Sequence, residues 1–228
     1  MEIVLLAGLW LRRSVWTEVC ANLAELGHRP IPVELPGVDD ASHTATLDDQ
    51  LEAVLVAIDS CPAPVAVVGH SAACTLAWMA ADRRPDRVHT VVLIGGFPST
   101  SETAYAGFFP IMDGAMAFPG WGPFEGPDSD DLDEDARARI AADAVAVPEG
   151  VAHGTVRYGN DRRFDVPVVL VCPEFSPEQA REWIAAGDVP ELAAATNVTF
   201  ADIDSGHWPM VTQAARLAEI IDDIARPD

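Results

Sequence analysis

A serine stands at a predicted corner between a buried strand and a helix. The segment at 65–81 reads VAVVGHSAACTLAWMAA, in which a valine-rich run ends at a glycine and small residues open a helix. Within it, GHSAA at 69–73 has the form of the G-x-S-x-G nucleophile elbow, with Ala73 where the last glycine is usual. Such a turn points the hydroxyl away from the sheet. We therefore predict that Ser71 is a nucleophile.

A serine hydroxyl becomes reactive when a base takes its proton. His207, in DIDSGHWPMV, follows the last predicted strand and precedes the last predicted helix. The chain order Ser, acid, His places the base at this point, so we predict that His207 is the base. The other histidines fit less well, because one adjoins the serine on the elbow and the rest lie in early connections or in the central insertion: His28, His43, His70, His89 and His153.

Acyl transfer also needs two N–H donors for the oxyanion. The residue after the nucleophile, Ala72, supplies one backbone donor. The loop after the first strand, LLAGLWLRRSVW, would supply the second from the backbone of Leu9. The side chains at these two positions carry little information, since only the backbone acts.

Short apolar runs alternate with helical patterns along the chain, which indicates βα units. We predict an α/β fold with a mostly parallel, doubly wound sheet of about six strands in a single domain. Ser176, Pro177 and Gln179 provide a cap, a first-turn proline and a capping box for one helix. The predicted strands are 2–8, 29–35, 63–69, 88–95, 166–172 and 197–203, and the predicted helices are 14–27, 46–60, 71–84, 176–187 and 210–225.

Residues 97–164 break this alternation. The segment holds nine of the 16 aromatic residues of the chain, and its glycines and prolines prevent one long helix, although DEDARARIAADAV could form a short one. We predict a lid over an apolar pocket, the alternative being a packed insertion without a role in ligand binding. The expected substrate-binding side chains are aromatic: Trp10, Phe97, Phe108, Phe109 and Trp121.

Composition narrows the classes of partner. The formal net charge is −22, all 14 basic residues are arginine, and such a surface repels phosphate groups. We therefore expect a small-molecule substrate and no nucleic-acid or membrane partner. We expect the protein to be a monomer or a homodimer. The four cysteines lack C-x-x-C spacing and the histidines lack metal-binding motifs. We expect reduced, buried thiols, a cytoplasmic location, no metal and no cofactor.

At these motifs the chain resembles the α/β-hydrolase fold family along nearly its whole length. The matching segments are LLAGLWLRRSVW for the oxyanion loop, VELPGVDDAS for the loop that the family often writes L-P-G-x-G-x-S, VVGHSAA for the elbow and SGHWPMV for the base. GHRPIPVELPG, VVLIGGFP and VCPEFSPEQAREW are most similar to the branch of plant methylesterases and hydroxynitrile lyases.

The resemblance leaves the acid of the catalytic triad open. The family usually has an aspartate after the strand at 166–172, where this chain reads VCPEFS. Glu174 lies at this usual place, and its extra methylene could bridge a one-residue offset. Glu102 follows the strand at 88–95, an alternative acid position in the fold, and Asp204 precedes the base by three residues. We predict Glu174.

These residues predict a serine hydrolase that cleaves a small, largely apolar ester, thioester or lactone through an acyl-enzyme on Ser71. One alternative is a lyase that cleaves a C–C or C–O bond with the same Ser-His pair. The lyases of the similar branch use a lysine near the site, and this chain has none. The other alternative is a binding protein that keeps the pocket and turns over nothing.

Overall fold

A computed structural model of the protein describes residues 1–40 and 42–225. Its main sheet has six parallel strands: β1 (Glu2–Leu6), β2 (Arg29–Pro32), β3 (Val65–His70), β4 (Val88–Ile94), β7 (Val168–Cys172) and β8 (Val198–Asp202). Across the sheet they lie in the order β2-β1-β3-β4-β7-β8. The predicted fold class and all six predicted strands are confirmed, with ends that differ by up to three residues.

Strand β2 is shorter than the predicted 29–35. Pro30 and Pro32 have no N–H to donate, and they lie in a strand that pairs with β1 on one side and forms an edge of the sheet. After Pro32 one more hydrogen bond joins the chain to β1, from the Val33 N–H to the carbonyl of Leu5 at 3.0 Å. The chain then leaves the sheet.

Helices cover both faces of the sheet, as the alternating pattern predicts. The longer ones are α1 (Thr17–Glu25), α2 (Leu47–Asp59), α3 (Ala73–Arg83), α6 (Pro177–Ala186) and α9 (Ala214–Ala225). The predicted capping box at the start of α6 is present, since Ser176 N–H donates to Gln179 Oε1 at 2.8 Å and Gln179 N–H donates to Ser176 Oγ at 3.2 Å. The predicted helix 210–225 is interrupted, because Gln213 leaves the helical conformation (φ −133°, ψ 36°) between α8 (Pro209–Thr212) and α9.

The sheet separates two apolar cores. One contains Val67, Leu93 and Trp78 together with the buried face of α2, and the other contains Val68, Ile94 and Trp16 with the buried face of α9. Because both faces of the central strands are covered, their side chains are apolar without alternation. Buried strands of this kind hold the loops at their carboxyl ends in fixed positions.

The segment between β4 and β7 contains little regular structure. It includes a small two-stranded antiparallel sheet of β5 (Ala115–Met116) and β6 (Val147–Pro148), which the sequence does not predict. It also includes the predicted short helix α4 (Glu134–Asp143) and the helix α5 (Glu149–Ala152). A further short helix, α7 (Pro190–Ala194), follows α6.

All four cysteines are free thiols. Cys61, Cys74 and Cys172 are buried as expected, whereas Cys20 is half-buried at the margin of the core that contains Trp16. In the described ranges we find no helix of the length and apolar character that a membrane span requires.

Candidate active site

Ser71 occupies a strained turn between β3 and α3. Its φ is +55°, a left-handed backbone conformation that is uncommon for a residue with a side chain. The turn is possible because glycines flank it: a Cβ atom on Gly69 would lie 2.3 Å from the carbonyl oxygen of Ala73, and one on Gly96 would lie 2.6 Å from that of Ser71. The Ser71 N–H donates to the carbonyl of Ile94 at 2.8 Å. Ala73, which stands where the motif usually has glycine, is fully buried.

His207 lies in the loop between β8 and α8, and the structure brings it to Glu174. The Nδ1 atom of His207 is 2.8 Å from Oε1 of Glu174, and both side chains are largely buried. Glu174 reaches this position from the end of β7. Among the described residues, Nε2 of His207 has no hydrogen-bond partner, so this nitrogen remains available to a substrate or to Ser71.

The two alternative acids lie elsewhere. Glu102 is 72% exposed and pairs with Arg157 at 3.9 Å, and Asp204 is exposed to solvent. Neither of them hydrogen-bonds to His207 within the part of the chain that is described. Glu174 is therefore the carboxylate that can orient the ring of His207.

The Ser71 hydroxyl makes no hydrogen bond to His207 or to any other described residue. Catalytic hydrogen bonds are often long or poorly aligned before substrate binds. The loops that carry the two residues are nevertheless in contact through the elbow, because Nε2 of His70 donates to the carbonyl oxygen of His207 at 2.7 Å.

His70 is a neutral structural partner of the site. It is fully buried, and burial together with repulsion from His207 lowers the pKa of His70 to about 3. Its Nε2 proton is used in the hydrogen bond to the His207 carbonyl. His70 thus braces His207 from beneath and cannot serve as an exposed base.

The predicted oxyanion donors have free N–H groups. Neither Leu9 nor Ala72 donates a backbone hydrogen bond to another described residue. The loop after β1 lies against the elbow, since a Cβ atom on Gly8 would be 3.1 Å from Cβ of Ser71. Two backbone donors beside a serine hydroxyl are the arrangement that stabilises a tetrahedral oxyanion.

Trp10, next to the predicted donor Leu9, has a left-handed backbone with φ +66°. The insertion holds it there: Nε1 of Trp10 donates to the carbonyl of Met116 at 3.1 Å, and the Trp10 carbonyl accepts from the N–H of Val145 at 2.9 Å. The insertion therefore fixes the conformation of the loop that carries the predicted donor Leu9.

The insertion also forms hydrogen bonds to the loop that carries His207. The N–H of His207 donates to the carbonyl of Asp128 at 2.7 Å. The Asp131 carboxylate accepts from the N–H of Gly206 at 2.9 Å and from the hydroxyl of Ser205 at 3.1 Å. Sequence reasoning missed these contacts, because an acidic run in a glycine-rich segment carries no signal that it pairs with a loop some 75 residues later.

The five predicted substrate-binding aromatics divide into two groups. Phe97 and Phe108 line a cavity of about 190 Å³ beside Ser71. The other three belong to an aromatic cluster, in which the Trp10 ring lies 5.4 Å from Phe109 and that of Trp121 lies 5.2 Å from Trp208. Phe124 of the same cluster stacks on His207 at 6.5 Å. This cluster flanks His207 rather than the cavity.

The chain was compared with known proteins. No curated protein sequence matches it significantly. Solved structures with the same fold include an extracellular α/β-hydrolase from a Paenibacillus species, described as sharing structural and functional homology with tobacco salicylic acid binding protein 2 (17% identity, TM-score 0.79, all of both chains covered). Another is a methylesterase from Arabidopsis (14% identity, TM-score 0.75, 98% of each chain).

A third structure is a pyrethroid hydrolase from Sphingobium faniae JZ-2, at 17% identity and a TM-score of 0.72, with 99% of this chain and 97% of that chain covered. At these identities the likeness shows the fold. The sequence profile of the Alpha/beta hydrolase family matches residues 3–220, which is nearly the whole chain. The chain therefore belongs to the α/β-hydrolase family.

Proposed function

We propose that this protein is a serine hydrolase that cleaves a small, largely apolar carboxylic ester, thioester or lactone through an acyl-enzyme on Ser71. The observation that carries the proposal is the 2.8 Å hydrogen bond between His207 Nδ1 and Glu174, in a loop that the elbow residue His70 ties to Ser71. A carboxylate on Nδ1 fixes the tautomer in which Nε2 accepts a proton.

The proposed reaction follows from these positions. Ser71 Oγ attacks the substrate carbonyl while His207 Nε2 takes its proton, and the Leu9 and Ala72 N–H groups stabilise the oxyanion. The protonated His207 gives the proton to the leaving alcohol or thiol, which leaves Ser71 acylated. Water, deprotonated by His207, then attacks the acyl-enzyme, and the carboxylic acid departs as Ser71 recovers its proton.

Proteins of this fold catalyse many different reactions, so the proposed reaction must be argued from the residues of the site. Glu174, His207 and Ser71 fill the three roles of acyl transfer, and the absence of lysine removes the cation that assists the lyases of the similar branch. The related structures named as a methylesterase and a pyrethroid hydrolase are consistent with ester substrates.

A fluorophosphonate probe tests the proposal, because it reacts with a serine only where a base and an oxyanion site activate the hydroxyl. We expect mass spectrometry to find one added phosphonyl group on the native protein and none on Ser71→Ala. Exposed Ser60, at the end of α2, provides the matched control, and Ser60→Ala is expected to react like the native protein.

Hydrolysis of 4-nitrophenyl butanoate provides the second measurement. Ser71→Ala and His207→Ala are each expected to lose several orders of magnitude in kcat, and the double variant is expected to lose no more than either single one. Labelling or turnover that persists in Ser71→Ala would refute the proposal. A protein that binds esters without Ser71-dependent turnover would be the binding module instead.

A further inference from the structure

The cavity beside Ser71 is polar on one wall. Phe97 and Phe108 contribute apolar surface, and three hydroxyl-bearing residues, Thr75, Ser99 and Tyr105, line the same cavity of about 190 Å³. Two of these hydroxyls, on Ser99 and Tyr105, keep a proton that no described residue accepts, and burying an unpaired donor costs free energy. The wall therefore indicates a ligand group that these hydroxyls recognise.

Ser99 is held by three hydrogen bonds, and its hydroxyl proton is not used in any of them. Its N–H donates to Thr75 Oγ1 at 3.0 Å, its carbonyl accepts from the Tyr158 hydroxyl at 2.9 Å, and its own Oγ accepts from Thr75 Oγ1 at 3.2 Å. In this network the Thr75 proton is used, and the Ser99 hydroxyl still has its own to donate. Ser99 is a preorganised donor at the cavity wall.

Tyr105 is a second donor. Its side chain is 2% exposed, its main chain is fixed by a 2.9 Å hydrogen bond to the carbonyl of Gly154, and its hydroxyl has no partner among the described residues. Burial raises the pKa of Tyr105, so the phenol keeps its proton at neutral pH. A buried tyrosine hydroxyl usually finds a hydrogen-bond partner.

In the proposed mechanism the cavity receives the acyl side of the substrate. The leaving group must lie near His207, which protonates it, and the described residues that line the cavity do not include His207. They include Ser71 and Ala72, which hold the carbonyl carbon and its oxyanion. The atoms that continue into the cavity thus belong to the acyl chain.

The acceptor in that chain must be uncharged. Within the described residues, no lysine, arginine or histidine lines the cavity. A carboxylate without a cation would be costly to bury, and two hydroxyl donors suit a neutral oxygen.

Building on the proposed function, we propose that the preferred substrate has an acyl chain that carries a neutral hydrogen-bond acceptor close to the scissile carbonyl, and that Tyr105 and Ser99 donate to it. An ether, keto or hydroxyl oxygen has this chemistry. Both side chains are then specificity-determining residues for the acyl group.

Two esters of equal length test this proposal: 4-nitrophenyl methoxyacetate and 4-nitrophenyl butanoate, which differ by an ether oxygen in place of a methylene. The quantity to measure is the ratio of their kcat/KM values. Differences in intrinsic reactivity cancel when this ratio is compared between variants. We expect Tyr105→Phe to lower the ratio about tenfold and Ser99→Ala to lower it several-fold, as the loss of a buried hydrogen bond implies.

Matched controls separate recognition from general damage. Thr103→Ala removes an exposed hydroxyl that donates to the Thr100 carbonyl and does not line the cavity. Ser101→Ala removes a neighbouring hydroxyl that does not line the cavity. Both controls are expected to keep the native ratio. An unchanged ratio in folded Tyr105→Phe and Ser99→Ala would overturn the inference.

Binding without turnover distinguishes this inference from the proposed function. The Ser71→Ala protein is titrated by NMR with methyl methoxyacetate and methyl butanoate. We expect tighter binding of the methoxy ester, and loss of that preference in Ser71→Ala/Tyr105→Phe. If native protein hydrolyses neither ester but the preference holds, the proposed function fails and the inference stands. Equal binding of both esters, or binding of neither, contradicts the inference.

Discussion

Glu174 and His207 form a largely buried pair whose Oε1 and Nδ1 atoms are 2.8 Å apart, although a glutamate stands where the family usually has an aspartate. The longer side chain reaches the ring from the end of β7. The second carboxylate oxygen of Glu174 is buried without a hydrogen-bond partner among the described residues. The imidazole of His207 is therefore the one described group that hydrogen-bonds to this buried carboxylate.

We expect Glu174→Gln to lower kcat by about 10²- to 10⁴-fold with the fold intact, because an amide does not hold the productive tautomer of His207. Steady-state hydrolysis of 4-nitrophenyl butanoate measures the loss, and circular dichroism checks the fold. Glu102→Gln is the matched control, since that side chain is exposed and pairs with Arg157. Near-native activity of Glu174→Gln would mean that His207 works without this carboxylate.

Asp131 is predicted to act as a positioning residue for His207. Its carboxylate accepts hydrogen bonds from Gly206 and Ser205, so Asp131→Ala frees the loop and is expected to lower kcat about 10- to 100-fold. Asp131→Asn keeps an acceptor oxygen and is expected to restore most of the activity. Exposed Asp130 supplies the control Asp130→Ala. A loss of thermal stability with unchanged kcat would indicate a structural role alone.

Gly96 is predicted to be essential for the elbow. In Gly96→Ala the new Cβ atom would meet the Ser71 carbonyl oxygen at 2.6 Å, so the turn must shift and the hydroxyl with it. We expect kcat/KM to fall at least about 100-fold. Gly122→Ala is the control, because nothing lies within 4 Å of the Cβ atom placed there. Full activity in Gly96→Ala would show that the elbow tolerates displacement.

The buried His70 makes the stability of the fold depend on pH. Burial lowers the pKa of His70 to about 3, whereas an unfolded histidine has a pKa of about 6.5. Between these values the unfolded chain binds a proton that the folded protein does not. The stabilising contribution is thus complete above pH 6.5 and is lost as the pH falls, by about 2 kcal/mol between pH 6.5 and 5.

Urea unfolding of the native protein and of His70→Gln at these two pH values measures this contribution. We expect the free energy of unfolding of His70→Gln to fall less on acidification than that of the native protein. His89 is exposed at the start of β4, and His89→Gln should retain the native slope. Equal slopes for native protein and His70→Gln would contradict the assignment.

The sequence predicts the sheet well, because strands such as β3 and β4 are buried on both faces and read as continuous apolar runs. It also places Ser71 and His207 after strands, and carboxyl ends of parallel strands meet at one edge. The two-stranded sheet of β5 and β6 has only two residues in each strand and shows no periodic pattern, so the sequence does not predict it.

Other features of the site depend on contacts between distant parts of the chain. Asp131 meets Gly206, and Trp10 meets Met116. Tyr105 and Ser99 line one cavity because of how the insertion packs, which residue type alone does not reveal.

Ser71 and Trp10 both keep left-handed backbones, at φ +55° and +66°. Strained conformations persist only where the surrounding structure over-determines them, and here β3, α3, β4 and the insertion provide that surrounding. These turns can therefore relax while the sheet persists. In a urea titration we expect the proposed esterase activity to be lost at a lower urea concentration than the secondary structure.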